Sequence, residues 1–408
     1  MTKHASTLTS QIGSPLPHAR ASAQPSHWSG VLAMTLCVFA LVASEFMPVS
    51  LLTPIAEDLR VSQGMAGQAI AVSGAFALLT SLLLPTLAGR LDRKSVLLWM
   101  TALMAASGAL IASAHGYALY MAGRALIGVA IGGFWSMSAA TAIRLVSPPQ
   151  VPRALAVFNG GNALATVVAA PLGSFLGALI GWRGVFLCLV PLAALAFAWQ
   201  WLSLPSMPAA ERRGSRNALG LLRARPVSLG MAAVSLFFMG QFALFTYVRP
   251  FLETTTHVDT STLSLVLLAM GVAGFVGTAA INWFIARNLY RTLIAIPLAM
   301  AVVALALIVI GDVAPAAIGL LAVWGLLGTA APVGWWSWLA KSLPDAAEAG
   351  GGLMVAVVQL AIALGSTVGG LLFDASGYAS TFAFAAAVLL AAAFLARATA
   401  RSSGRTLH

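Results

Sequence analysis

GVLAMTLCVFALVASEFMPVSLLTP, residues 30–54, carries one ionisable side chain, Glu45. A helix needs about 20 apolar residues to cross the hydrocarbon of a bilayer. This stretch is long enough to span one, and its single acid must then face away from lipid. Comparable runs follow at 65–87, 95–114, 117–142, 155–180, 184–204, 227–250, 263–286, 293–311, 315–339, 351–373 and 378–397. The fold expected from them is all-α and polytopic, with twelve transmembrane helices joined mostly by short loops. Composition agrees, because 60% of the 408 residues are hydrophobic and 8% charged, where water-soluble chains hold about 25% charged. A soluble enzyme on a single anchor is excluded.

The longest internal break, Pro205 to Pro226, carries Glu211 against Arg212, Arg213, Arg216, Arg223 and Arg225 and falls between the sixth and seventh runs. The expected organisation is a tail at 1–28, a six-helix half at 29–204, a linker at 205–226, a second half at 227–397 and a tail at 398–408. Residues 1–27, rich in Ser, Thr, Pro, Ala and His, read as a disordered tail and not as a cleaved signal. With the N-terminus inside, 18 of the 22 basic residues fall on inside segments, and only Arg60, Arg183 and Arg249 on outside loops. That split places both termini and the linker in the cytoplasm. The net charge of +11 is therefore a topology signal, with no soluble basic patch for nucleic acid. Cys37 and Cys188 both lie inside apolar runs, which leaves no disulfide framework or thiolate metal site.

Sorting the charges leaves one of each sign within the membrane, Glu45 and Arg124. Glu45 lies nine residues from the outer end of the first run and Arg124 seven from that of the fourth, so both sit ~10–14 Å deep at 1.5 Å per residue. They are placed to meet. An ion pair that only packs two helices is one reading; a titratable carboxylate governed by burial and a neighbouring guanidinium is the other.

An internal repeat at an offset of 196 residues sets SEFMPVSLLTP (44–54) on GQFALFTYVRP (240–250), and PLGSFLGALIGWRGVF (171–186) on TVGGLLFDASGYASTF (367–382). It aligns Phe46 with Phe242, Pro54 with Pro250, Gly173 with Gly369, Gly181 with Gly377, Phe186 with Phe382, and Glu45 with Gln241. One offset holding in two regions implies duplicated six-helix halves, with a substrate site at the midplane between them.

Four segments together resemble the major facilitator superfamily, in its twelve-span drug:proton antiporter branch: LAGRLDRKSVLL (87–98), AGRALIGVAIGG (122–133), AAPLGSFLGALIGWR (169–183) and EFMPVSLLTPIAEDL (45–59). The first is similar to the cytoplasmic gating loop, which assigns Arg90, Asp92 and Arg93 to it, although Gly89 stands where that loop has an aspartate and Asp92 where it has a glycine. The second carries the membrane arginine, Arg124. The third is similar to the antiporter helix motif, with Pro171, Gly173 and Gly177. Within the branch the likeness is to bacterial purine ribonucleoside efflux pumps, through GGFWSMSAA, GQFALFTYVRP and APVGWWSW among others. The resemblance implies proton-coupled export of neutral solutes such as inosine and guanosine from the inner membrane, by a chain working as a monomer without cofactor or metal. Sugar (arabinose-like) or multidrug efflux is the alternative.

A nucleoside offers a π-face and a ring of donors and acceptors, so its site calls for an aromatic platform and amides. Trp135, Gln241, Tyr247, Gln359, Asn159 and Asn162 are the candidates. Trp335, Trp336 and Trp338 read as interfacial anchors at the end of the tenth helix, and Gly128, Gly132, Gly160, Gly161, Gly173 and Gly177 as close-packing positions. No Gly-Lys of a phosphate loop is present, and all six histidines lie outside the spans. Glu45 and Arg124 thus become the proton-coupling pair, with Glu45 the one embedded proton carrier. A membrane enzyme would need paired carboxylates, a His cluster or an activated nucleophile, and one acid with one arginine is too little for that.

Overall fold

A computed structural model describes residues 27–87, 91–208 and 218–404. Among them every regular element is helical. Span 1 is Trp28–Ser50, prolonged past Leu51 by the short helix Leu52–Leu59. Spans 2, 3 and 4 are Gln63–Leu87, Arg93–Ala112 and Tyr117–Arg144. Spans 5 and 6 form one element, Val151–Ser203, broken at Gly181. Span 7, Arg225–Phe245, is prolonged by Val248–Thr254. Spans 8 and 9 form a second double element, Thr260–Ile310, broken at Asn288. Spans 10, 11 and 12 are Ala314–Ser342, Ala347–Ser376 and Tyr378–Gly404. The last helix runs beyond 397, so part of the expected C-terminal tail is helical. Leu202 is 84% exposed and Val309 78%, as side chains facing hydrocarbon should be.

The 196-residue repeat is realised in the backbone. The helices that prolong spans 1 and 7 begin at Leu52 and Val248, and the only two glycines with positive φ among the described residues are the repeat mates Gly181 (φ 72°) and Gly377 (φ 77°). Each turns the chain between two spans, with ψ of 162° and −175° respectively, a region essentially closed to residues with a Cβ. Gly181→Ala or Gly377→Ala is expected to cost about 1–3 kcal/mol, measured as a lowered Tm in detergent. Gly160→Ala, inside a helix and where a Cβ meets nothing within 4 Å, should not lower Tm, because Ala is the better helix former. Gly160 is thus not the packing position expected of it. The others of that group are, with Gly128 and Gly132 against Ser73 and Ala77 of span 2, and Gly161, Gly173 and Gly177 against span 1.

The start of span 1 lies beside the end of span 6, through Ser29 and Ser203 (Oγ to Oγ 2.8 Å). This end of the bundle, which also holds the end of span 12, is called terminal below, and the opposite end distal. Hydrogen bonds join the two halves at the distal end: Thr53 Oγ1 donates to Glu253 Oε2 at 2.5 Å, Gly64 N to Asp374 Oδ1 at 2.9 Å, Thr367 Oγ1 to Gln68 Oε1 at 3.0 Å and Ser264 Oγ to Ser174 Oγ at 2.9 Å. Arg249, paired with Glu253 at 2.7 Å, also donates to the Ser50 carbonyl. Among the described residues no hydrogen bond joins the halves at the terminal end.

Candidate functional site

At the centre of the bundle the repeat mates touch. Phe46 of span 1 stacks on Phe242 of span 7 with centroids 6.2 Å apart, and meets Phe245 edge-on at 6.0 Å. Such pairs contribute about 0.5–1.5 kcal/mol each beyond area burial. The stack sets the neighbours Glu45 and Gln241 at matching depth.

Arg124 is completely buried. Its Nη1 donates to Ser44 O at 2.9 Å, Nε to Ala69 O at 3.2 Å and Nη2 to Ser73 Oγ at 3.0 Å, so one guanidinium fork clamps spans 1, 2 and 4. Glu45 lies within its electrostatic reach, but no direct ion pair joins the two. The contact expected from their depths is corrected in this respect. Successive residues point about 100° apart around a helix, so the fork that reaches the Ser44 carbonyl leaves the next side chain turned elsewhere. Half-buried Glu45 comes under the influence of a polar side chain of the second half, Gln359 on span 11. Gln359 is 7% exposed, and its backbone lies against Gly74 of span 2.

Gln241 sits in the seam between spans 7 and 10. Its Nε2 faces Gly328, where a Cβ would lie 2.8 Å away, and its Oε1 is buried without a partner. Trp135 is half-buried on span 4, edge-on to Phe158 at 6.1 Å. Asn159 is exposed and donates to Leu155 O of its own helix at 2.9 Å, with half-buried Asn162 one turn on. Tyr247 is placed elsewhere. It is fully buried at the distal seam, donates to Ser366 O at 2.8 Å, stacks on Phe373 at 5.2 Å and fills the space above Gly67 and Gly370. Neither of its faces is open in this conformation. Trp335 and Trp338 are buried in the core of the second half, which corrects the anchor reading; only Trp336, at 46% exposure, is free to serve as one.

Asp92 caps span 3 by accepting from Lys94 N at 2.8 Å, and accepts from Met207 N at 3.0 Å and from Ser206. Burial pushes its carboxyl up, but these hydrogen bonds and the Lys94 charge outweigh that and hold it below its ordinary value. Asp92 and Arg93, whose N–H donates to Met207 O at 3.0 Å, thus tie the loop to the segment leaving span 6 within one half; Arg90 lies outside the described residues. Pro171 is buried in span 5. Sequence reasoning missed the distal fastening by Ser50, Thr53, Glu253 and Asp374. Its one legible signal is the four-residue spacing of Arg249 and Glu253.

Two six-helix halves related by a repeat, closed at one end, with a polar pair at their centre, define a solute transporter. The sequence profile of the Major Facilitator Superfamily matches residues 34–365, and the chain belongs to that superfamily; it is a multi-pass membrane transporter and not an enzyme. It is 63% identical over 383 residues (93% of this chain, 95% of the relative) to a protein of Pseudomonas aeruginosa PAO1 called "Transcription regulatory protein OpdE". It is 41% identical over 375 residues (92% and 94%) to the "Purine ribonucleoside efflux pump NepI" of Salmonella typhimurium LT2. The solved nucleoside transporter NupG superposes with TM-score 0.74 at 13% identity, over 91% of this chain and 99% of that one. A D-xylose-proton symporter also gives 0.74, at 16% identity over 91% and 97%. At such identities the likeness establishes the fold alone.

Proposed function

We propose that this transporter exports purine ribonucleosides such as inosine and guanosine in exchange for protons, by alternating access across a bacterial inner membrane. The observation that carries the reading is the position of Glu45 at the seam between the halves, next to Phe46, which packs on Phe242 and Phe245 of the second half, and under the influence of the Gln359 amide. A change in its protonation therefore acts on the interface that must rearrange. The identity to the Salmonella pump supports the substrate class. With both termini cytoplasmic, the distal end at which the halves are fastened is the outer one. The name of the Pseudomonas relative is compatible with transport, since efflux of an effector molecule alters transcription without a DNA contact.

A neutral ligand leaves the lone acid free for protons, and Gln241 Oε1, buried here without a partner, would gain one from a base or ribose where the seam between spans 7 and 10 opens. Proteoliposomes loaded with labelled inosine, guanosine, arabinose or a cationic dye test the reading. Proton-gradient-driven transport of the purine nucleosides is expected, and transport of arabinose or dye alone would move the substrate to the sugar or multidrug class. Gln241→Ala should raise half-saturating inosine by ~2–13-fold, the equivalent of one hydrogen bond of ~0.5–1.5 kcal/mol, with the pH response retained.

A further inference from the structure

We propose that the groove between spans 7 and 12 at the terminal end binds an anionic diacyl phospholipid. The groove, of about 570 Å³, is lined by Arg225 and Leu229 at the start of span 7 and by Phe394, Arg397 and Arg401 on the last turns of span 12. Arg397 and Arg401 stand four residues apart and so lie on one helix face, with Phe394 a turn below them. All three arginines are exposed, and among the described residues none of their side chains has a hydrogen bond or an acidic partner.

The repeat makes this arrangement specific. Subtracting 196 carries Arg225 onto Ser29, Leu395 onto Trp199, Arg397 onto Trp201 and Thr399 onto Ser203. In the first half that seam, between spans 1 and 6, is zipped: Ser29 and Ser203 share a hydrogen bond of 2.8 Å, and Trp199 Nε1 donates to Ser29 Oγ at 2.9 Å. The second half has no such closure among the described residues. Three cations stand there instead, and like charges at this spacing repel unless an anion is shared between them.

The groove is polar at its mouth and apolar beneath, where Phe394 is 70% exposed. A phosphodiester suits guanidinium forks, and an acyl chain suits the wall of Phe394 and Leu229. A choline or ethanolamine headgroup would set its own cation against the three arginines, so charge complementarity selects a lipid of net negative charge.

The test uses the full-length protein, exchanged into micelles holding equal phosphatidylglycerol and phosphatidylcholine and weighed intact by native mass spectrometry. Preferential retention of phosphatidylglycerol is expected. Changing Arg225, Arg397 and Arg401 to Gln should weaken it about fivefold per arginine (~1 kcal/mol each). Arg291→Gln, a basic residue outside the groove, should leave it unchanged. If the triple variant is not monodisperse, Arg401→Gln alone carries the test, with a loss of about fivefold. Equal retention of both lipids, unchanged retention in the variants, an equal loss in Arg291→Gln, or displacement by inorganic phosphate would overturn the proposal.

Discussion

Glu45→Gln is expected to abolish the response of transport to a pH gradient while leaving the protein folded and inserted. The substitution keeps size and shape. Its amide stays a polar group beside Gln359, and the packing of the neighbouring Phe46 on Phe242 and Phe245 is untouched. What is lost is the proton, because among the twelve spans no other acid is embedded. In proteoliposomes the variant's inosine flux with a gradient should equal its flux without one. Gradient-driven flux at wild-type expression in Glu45→Gln would show that protons travel by another route.

Arg124→Ala should be the most destabilising single change in the first half. The Ser44 carbonyl, four residues before Pro48 and so without a helix donor there, would lose its buried donor at about 1–3 kcal/mol, the bonds to Ala69 O and Ser73 Oγ would go as well, and a completely buried side chain would leave a void. A loss of roughly 3 kcal/mol or more is a large share of the ~5–15 kcal/mol that holds a typical domain folded. Thermal unfolding in detergent measures it, and the double variant with Glu45→Gln decides between roles. A clamp on three helices predicts that neutralising the acid leaves the loss of stability in place. Recovery of Tm in the double variant would mean that Arg124 serves mainly as the counter-charge of Glu45.

The features legible in the amino-acid sequence are those that local chemistry dictates. Each span can be read because no chain crosses hydrocarbon as a helix except with some 20 apolar residues in a row. Even the sharp turn inside Val151–Ser203 has its signal, since Gly181 and Gly377 match at one offset and both adopt a positive φ. Glu45 and Arg124 stand out because a charge in that setting is rare.

Partner choice is not legible in the same way. Depth along a helix comes from counting residues, but direction around it depends on which neighbour packs where. Arg124 is drawn to backbone carbonyls, which every residue has and no sequence pattern marks, and Glu45 is left to Gln359, 314 positions away in the chain. Trp335 and Trp338 have the same composition signal as Trp336, yet two are buried and one is exposed. Tyr247, a candidate platform for a base, is instead enclosed where Gly67 and Gly370 let spans 2 and 11 approach. Twelve crossings, two related halves and one embedded acid follow from the order of residues alone, because apolar length and embedded charge are properties of a linear string. Which group that acid meets, and which end of the bundle is closed, are settled only by packing in three dimensions, because both depend on helix rotation and on contact between segments hundreds of residues apart.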